Sequence, residues 1–78
     1  MNKIQILGTG CAKCRKLAES AEAAVREAHL DIEIEKITDI NAIMEFGIMV
    51  TPALAIDGEV KSVGKVLSPQ QVLELLQA

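Results

Sequence analysis

Cys11 and Cys14 are the residues of this chain whose type and spacing suit covalent chemistry. They stand in Gly8-Thr9-Gly10-Cys11-Ala12-Lys13-Cys14, between a short apolar strand pattern and a long helical one. The start of a helix presents unpaired N–H groups and the positive end of the helix dipole. A thiolate is the species best served there, so the Cys11 thiol is expected to ionise below the model value of about 8.5. Cys11 would then be a nucleophile at neutral pH, and Cys14, one turn on, could close a disulfide with it. Two cysteines are too few for a secreted disulfide scaffold, and a bridge between residues three apart staples almost nothing.

The helix that must position the pair runs from Ala12 to His29. Cys14, Leu17, Ala18, Ala21, Ala24, Val25 and Ala28 recur at spacings of three and four and form one apolar face. Arg15–Glu19 and Glu22–Arg26 are spaced as i,i+4 ion pairs on the other. Cys14 is thus expected to be shielded and Cys11, ahead of the helix, accessible. That is the asymmetry an attacking thiol and a resolving thiol need. Lys13, Arg15 and Lys16 fall in or near the first turn, where cations oppose the helix dipole. They read as a solvated face, or as support for a Cys11 thiolate or an anionic partner. His29 at the helix end carries no chemical role in this reading.

Before the helix, Lys3–Leu7 reads as a buried strand, ended by Gly8 and Gly10, which let the chain turn tightly. The Gly-x-Gly does not extend to a dinucleotide fingerprint, because Lys13 stands at the third glycine position. After the helix, Leu30–Glu35 alternates apolar and acidic residues, as an edge strand with one wet face would. Thr38 or Asp39 is placed to cap a short helix carrying Ile40, Ile43 and Met44 inward, with Gly47 at its C-terminal turn. Ile48–Val50 is an apolar loop, either core or a docking rim, and Thr51-Pro52 ends it. Ala53–Ile56, Asp57-Gly58 and Glu59–Val63 read as a hairpin with a type I′ turn. Ser68-Pro69-Gln70-Gln71 opens a last helix with a cap serine, a proline at the first position and a glutamine at the third. Val72, Leu73, Leu75 and Leu76 form its buried side. Met44 and Met49 read as core fillers.

The order is therefore β-α-β-α-β-β-α, an α/β chain whose first β-α-β unit is parallel with a right-handed crossover. The hairpin would complete a four-stranded mixed sheet covered by three helices. The 78 residues allow one domain, 1–78, burying roughly 60–65% of the unfolded surface. Half the residues are apolar but only Phe46 is aromatic, so the core is aliphatic. No apolar run approaches the roughly 20 residues of a membrane span. The strand pattern follows Met1-Asn2 directly, with no signal-peptide pattern, so a reducing, cytoplasmic setting and no membrane partner are expected. A net charge of −3 speaks against nucleic acid as the main partner.

That order, with Cys-x-x-Cys at the first strand-to-helix junction and Thr-Pro before the third strand, resembles the minimal thioredoxin/glutaredoxin fold. Lys3–Cys14 with Val50–Val60 looks like the small redox-active disulfide proteins of archaea and bacteria. The resemblance implies a thiol–disulfide oxidoreductase without cofactor or metal, in which Cys11 attacks and Cys14 resolves. Pro52 would be a cis-proline facing the pair, with Thr51 offering backbone groups to a bound peptide or thiol. Gly10 and Lys13 would support the site. Partners would be a disulfide-containing protein or a low-molecular-weight thiol, together with a reductase, and the chain would act as a monomer. The sequence departs from the family's pattern in three places. No aromatic residue stands beside the cysteines, no proline lies between them, and Gln5 falls near the position of the usual buried acid. A rival reading uses the same two cysteines for Cu(I), which two soft thiolates suit. Small copper-carrying domains, however, run β-α-β-β-α-β and usually carry methionine where Thr9 stands.

Overall fold

The computed structural model of the chain describes residues 3–10 and 12–77. Its elements are β1 (Lys3–Leu7), α1 (Ala12–Glu27), β2 (Glu33–Ile37), α2 (Ile40–Glu45), β3 (Ala53–Ile56), β4 (Glu59–Val63) and α3 (Pro69–Gln77). The four strands form one mixed sheet in the order β2-β1-β3-β4. β1 pairs parallel with β2 from Lys3↔Glu33 to Leu7↔Ile37, and antiparallel with β3 from Ile4↔Ile56 to Leu7↔Ala53. This is the expected minimal thioredoxin-type architecture.

Residues opposite one another in a sheet share a face, so alternation along β1 divides the core in two. Ile4 and Ile6, with Leu54 and Ile56, pack under the α1 side chains Leu17, Ala18, Ala21 and Ala24 and under Val72 of α3. Leu7, Ala53 and Ala55 pack on the opposite face with Ile43 of α2 and Ile48. The small side chains of α1 let this helix lie close to the sheet.

Three local features depart from expectation. The first helix ends at Glu27, not His29, because His29 takes a left-handed conformation (φ 54). The His29 N–H donates to the Arg26 carbonyl (3.3 Å) and the Leu30 N–H to that of Val25 (3.0 Å), a Schellman closure. Leu30 is thereby spent on ending the helix, and the strand expected over Leu30–Glu35 forms over Glu33–Ile37 instead. It is still an edge strand, with Lys3 and Glu35 paired at 3.6 Å on its wet part. Arg15–Glu19 and Glu22–Arg26 do not pair: among the described residues the ion pairs are Lys3–Glu35 and Lys61–Glu59.

The third departure is in α2. Ile43 faces inward, but Ile40 and Met44 are 60% and 63% exposed. The partner of Ile43 is Phe46, three residues on, which packs half-buried on the same cluster. An inward stripe through Ile43 and Phe46 turns the Ile40–Met44 pair outward. Asp39 occupies the cap position without a side-chain capping bond, while its carbonyl accepts the Ile43 N–H at 3.0 Å. Gly47 closes the helix with φ 80.

The hairpin and the last helix follow their sequence signals. Asp57 and Gly58 both have positive φ (52 and 85), as a type I′ turn requires. At the start of α3 the Gln71 N–H donates to Ser68 Oγ (3.2 Å) and the Ser68 N–H to Gln71 Oε1 (2.9 Å). That is a complete capping box.

Candidate functional site

The site is built where β1 ends and α1 begins. Gly8 continues β1, its N–H donating to the Ile37 carbonyl at 3.0 Å, so this glycine is held by the edge strand β2. Thr9 and Gly10 then swing the chain out, Gly10 with φ 91, and both are exposed. Cys11 lies outside the described residues. Ala12 starts α1, and Cys14, on the inward stripe with Leu17 and Ala18, is 5% exposed. The expected shielding of Cys14 is thus present. Lys13, Arg15 and Lys16 are exposed around the first turns of α1.

The Cys14 thiol packs directly on Gly8. A Cβ built on Gly8 would lie 2.3 Å from Cys14 Sγ, far inside contact distance, and 4.0 Å from the Pro52 Cα. Cys14 and Pro52 therefore both border the space beside the Gly8 Cα, with Cys14 in close contact. The Thr51–Pro52 bond is cis, and Pro52 is fully buried while Thr51 is exposed. The Pro52 carbonyl accepts the Gly64 N–H at 2.7 Å, which ties the proline loop to the end of β4. The structure brings together Gly8, Cys14 and Pro52. Gly8, and Gly64 as the partner of Pro52, were not expected at the site; the signal for Gly8 was a glycine directly after a buried strand, read only as a turn.

The two flanks of this cluster differ in character. On the α2 side a groove of about 330 Å³ is lined by Thr9, Thr51, Ile40, Ile43, Met44, Ile48 and Met49, none of them charged. Met49 is 98% exposed and Val50 half-exposed, whereas Ile48 belongs to the core. The loop before Pro52 thus supplies both a rim and a core anchor. On the α1 side a groove of about 260 Å³ has a floor of Ile6, Gly8, Gly10, Cys14 and Ala18. Arg15, Glu19, Glu22 and Lys36 stand around it.

No polar or charged side chain is buried among the described residues, so no buried acid accompanies Cys14. Gln5, which falls near that position by counting, is on the α2 face of β1. Its Oε1 accepts the Gly58 N–H at 2.8 Å and helps hold the hairpin turn. Ile6 is the β1 residue that shares a groove with Cys14.

The topology does not favour the copper reading. The observed order ends β-β-α, and the sheet runs β2-β1-β3-β4. A β-α-β-β-α-β domain would need a terminal strand where α3 stands. Among the described residues no helix is long and apolar enough to cross a membrane.

Residues 2–77 match the family model described as thioredoxin domain. The chain is similar to a protein called thioredoxin from Methanothermobacter thermautotrophicus, with 46% identity over 76 residues, covering 97% of this chain and 99% of that one. It is also similar to a protein called thioredoxin from Methanocaldococcus jannaschii, with 41% identity over 75 residues, covering 96% and 86% respectively. With the sheet order, the cis Thr51–Pro52 bond and the cysteine at the start of α1, these matches place the chain in the thioredoxin-domain family of thiol–disulfide oxidoreductases.

Proposed function

We propose that residues 1–78 act as one domain that reduces or exchanges disulfides through Cys11 and Cys14, without cofactor or metal. The observation that supports this most is the packing of buried Cys14 on Gly8, beside the cis Pro52. A thiol shielded from solvent three residues after Cys11 suits the resolving role.

In this reading the Cys11 thiolate attacks one sulfur of a substrate disulfide. A Cys11–substrate disulfide forms, and the other substrate sulfur leaves as a thiolate and takes up a proton. Cys14, having lost its proton to solvent, then attacks the Cys11 sulfur and expels the second substrate thiolate. The chain ends as a Cys11–Cys14 disulfide, the substrate as two thiols, and a reductase or dithiol returns the two electrons. The absence of negative charge in the first turn of α1, with Lys13 beside the pair, favours the thiolate of Cys11. Gly10, in its left-handed conformation, brings the chain to the helix start. Exposed Thr51 would present backbone groups to a bound chain, and the uncharged groove beyond it would receive neighbouring apolar side chains.

Substrates are disulfides of partner proteins or of small thiols, and a monomer in a reducing, cytoplasmic setting suits that work. Dithiothreitol-driven reduction of insulin tests it. The protein is expected to accelerate insulin precipitation, and Cys11→Ser and Cys14→Ser to abolish the acceleration. An unchanged rate in either variant would overturn the assignment.

A further inference from the structure

The groove on the α1 side is not used by the steps above. It runs from Gly10, the neighbour of Cys11 in the chain, over Cys14 and along α1 to Glu22. Lys36 closes it from the sheet: it lies beside Ile6 in the parallel pairing and so projects on the α1 face. At about 260 Å³ the groove is just below the roughly 300–1,000 Å³ of drug-sized ligand sites, which suits a smaller molecule.

Its charges are balanced. Two cations, Arg15 and Lys36, and two carboxylates, Glu19 and Glu22, line one small groove. All four are exposed, and none takes part in the ion pairs of the described residues, Lys3–Glu35 and Lys61–Glu59. The floor beneath them is apolar apart from the Cys14 thiol. A ligand that matches this carries two ammonium groups, two carboxylates and a sulfur-containing apolar middle.

We propose that the α1-side groove binds a small disulfide formed by two amino-acid thiols, of the class of cystine, and delivers its S–S bond to the cysteine pair. The proposal rests on the thiol–disulfide reading above. The carboxylates of the ligand would meet Arg15 and Lys36, and its ammonium groups Glu19 and Glu22. The chemistry is unchanged: Cys11 thiolate forms a bond to one ligand sulfur and one amino-acid thiolate leaves and is protonated. Cys14 then forms the Cys11–Cys14 bond as the second thiolate leaves. One small disulfide becomes two thiols, and the protein dithiol becomes a disulfide.

Binding and turnover test this separately. Lanthionine, the redox-inert thioether with the same four charged groups, is titrated into the reduced, isotope-labelled protein. Saturable shifts are expected at the amides of Ala18, Glu22 and Lys36, and none with uncharged thiodiethanol. Lack of saturation, equal shifts with thiodiethanol, or shifts confined to the Met44–Met49 groove would overturn the proposal. In turnover with dithiothreitol, kcat/KM for cystine is compared with that for hydroxyethyl disulfide. In the double variant Glu22→Gln, Lys36→Gln the cystine-to-hydroxyethyl ratio should fall about fivefold, the scale of losing exposed ion pairs. An unchanged ratio would refute the charged groove. Inactivity of the parent protein on both disulfides and on insulin would instead refute the underlying reading.

Discussion

A methyl group on Gly8 would sit 2.3 Å from Cys14 Sγ and 3.1 Å from its Cβ, with the Pro52 Cα 4.0 Å away. Gly8 has no left-handed φ to require glycine, so its constraint is space alone. Gly8→Ala must push Cys14 out of its seat or bend the end of β1. Overpacking of this kind costs about 1–3 kcal/mol, to be read by urea unfolding, with a parallel loss of insulin reduction. Loss of neither would show that the thiol has room to move. At this scale the sequence disclosed the shielding of Cys14, because a 3.6-residue period shows which helical positions face inward. It did not disclose the contacts of Gly8 and Gly64: Gly8 is crowded by the Cys14 thiol and Gly64 donates to the Pro52 carbonyl, contacts that exist only once the chain has folded.

The elements that hold the site differ in how far local pattern decides them. The capping box of α3 is purely local, and Ser68→Ala is expected to cost about 1 kcal/mol in chemical denaturation. Helix α2 is six residues long, and its stripe is ambiguous: Ile40, Ile43, Met44 and Phe46 offer two overlapping faces. Packing against Leu7, Ala53 and Ala55 chooses Ile43 and Phe46. Ile43→Ala should therefore cost about 2–4 kcal/mol. Ile40→Ser and Met44→Ser should each stay within about 0.5 kcal/mol, as exposed substitutions do. A large loss at Ile40 would contradict the orientation of α2. The displaced start of β2 has the same kind of origin. The Schellman closure at His29–Leu30 uses backbone groups that an alternation pattern cannot reveal, whereas the pairing of Lys3 with Glu33 fixes the register once β1 is in place.

At the scale of the whole molecule, the sheet divides the chain into a face covered by α1 and α3 and a face covered by α2. Cys14 lines the charged groove beside the end of β1, and Thr9 and Thr51 border the uncharged groove on the α2 side. The element order was legible because turn, cap and periodicity signals agree along most of the chain. The grooves were not, since each joins residues from separate elements: Lys36 meets α1 across the sheet, and Thr9 meets Met49 across the Pro52 loop. The central claim is that this fold gives the two thiols unequal work. Disulfide exchange passes through a mixed disulfide that only the second thiol of the protein releases quickly. Cys14, 5% exposed, is seated for that release. Affinity-purified Cys11→Ser and Cys14→Ser proteins, run on non-reducing gels with adducts identified by mass spectrometry, compare the two roles directly. Cys14→Ser should accumulate partner adducts that reductant releases, and Cys11→Ser few. Equal trapping by both variants, or trapping by neither, would contradict the account.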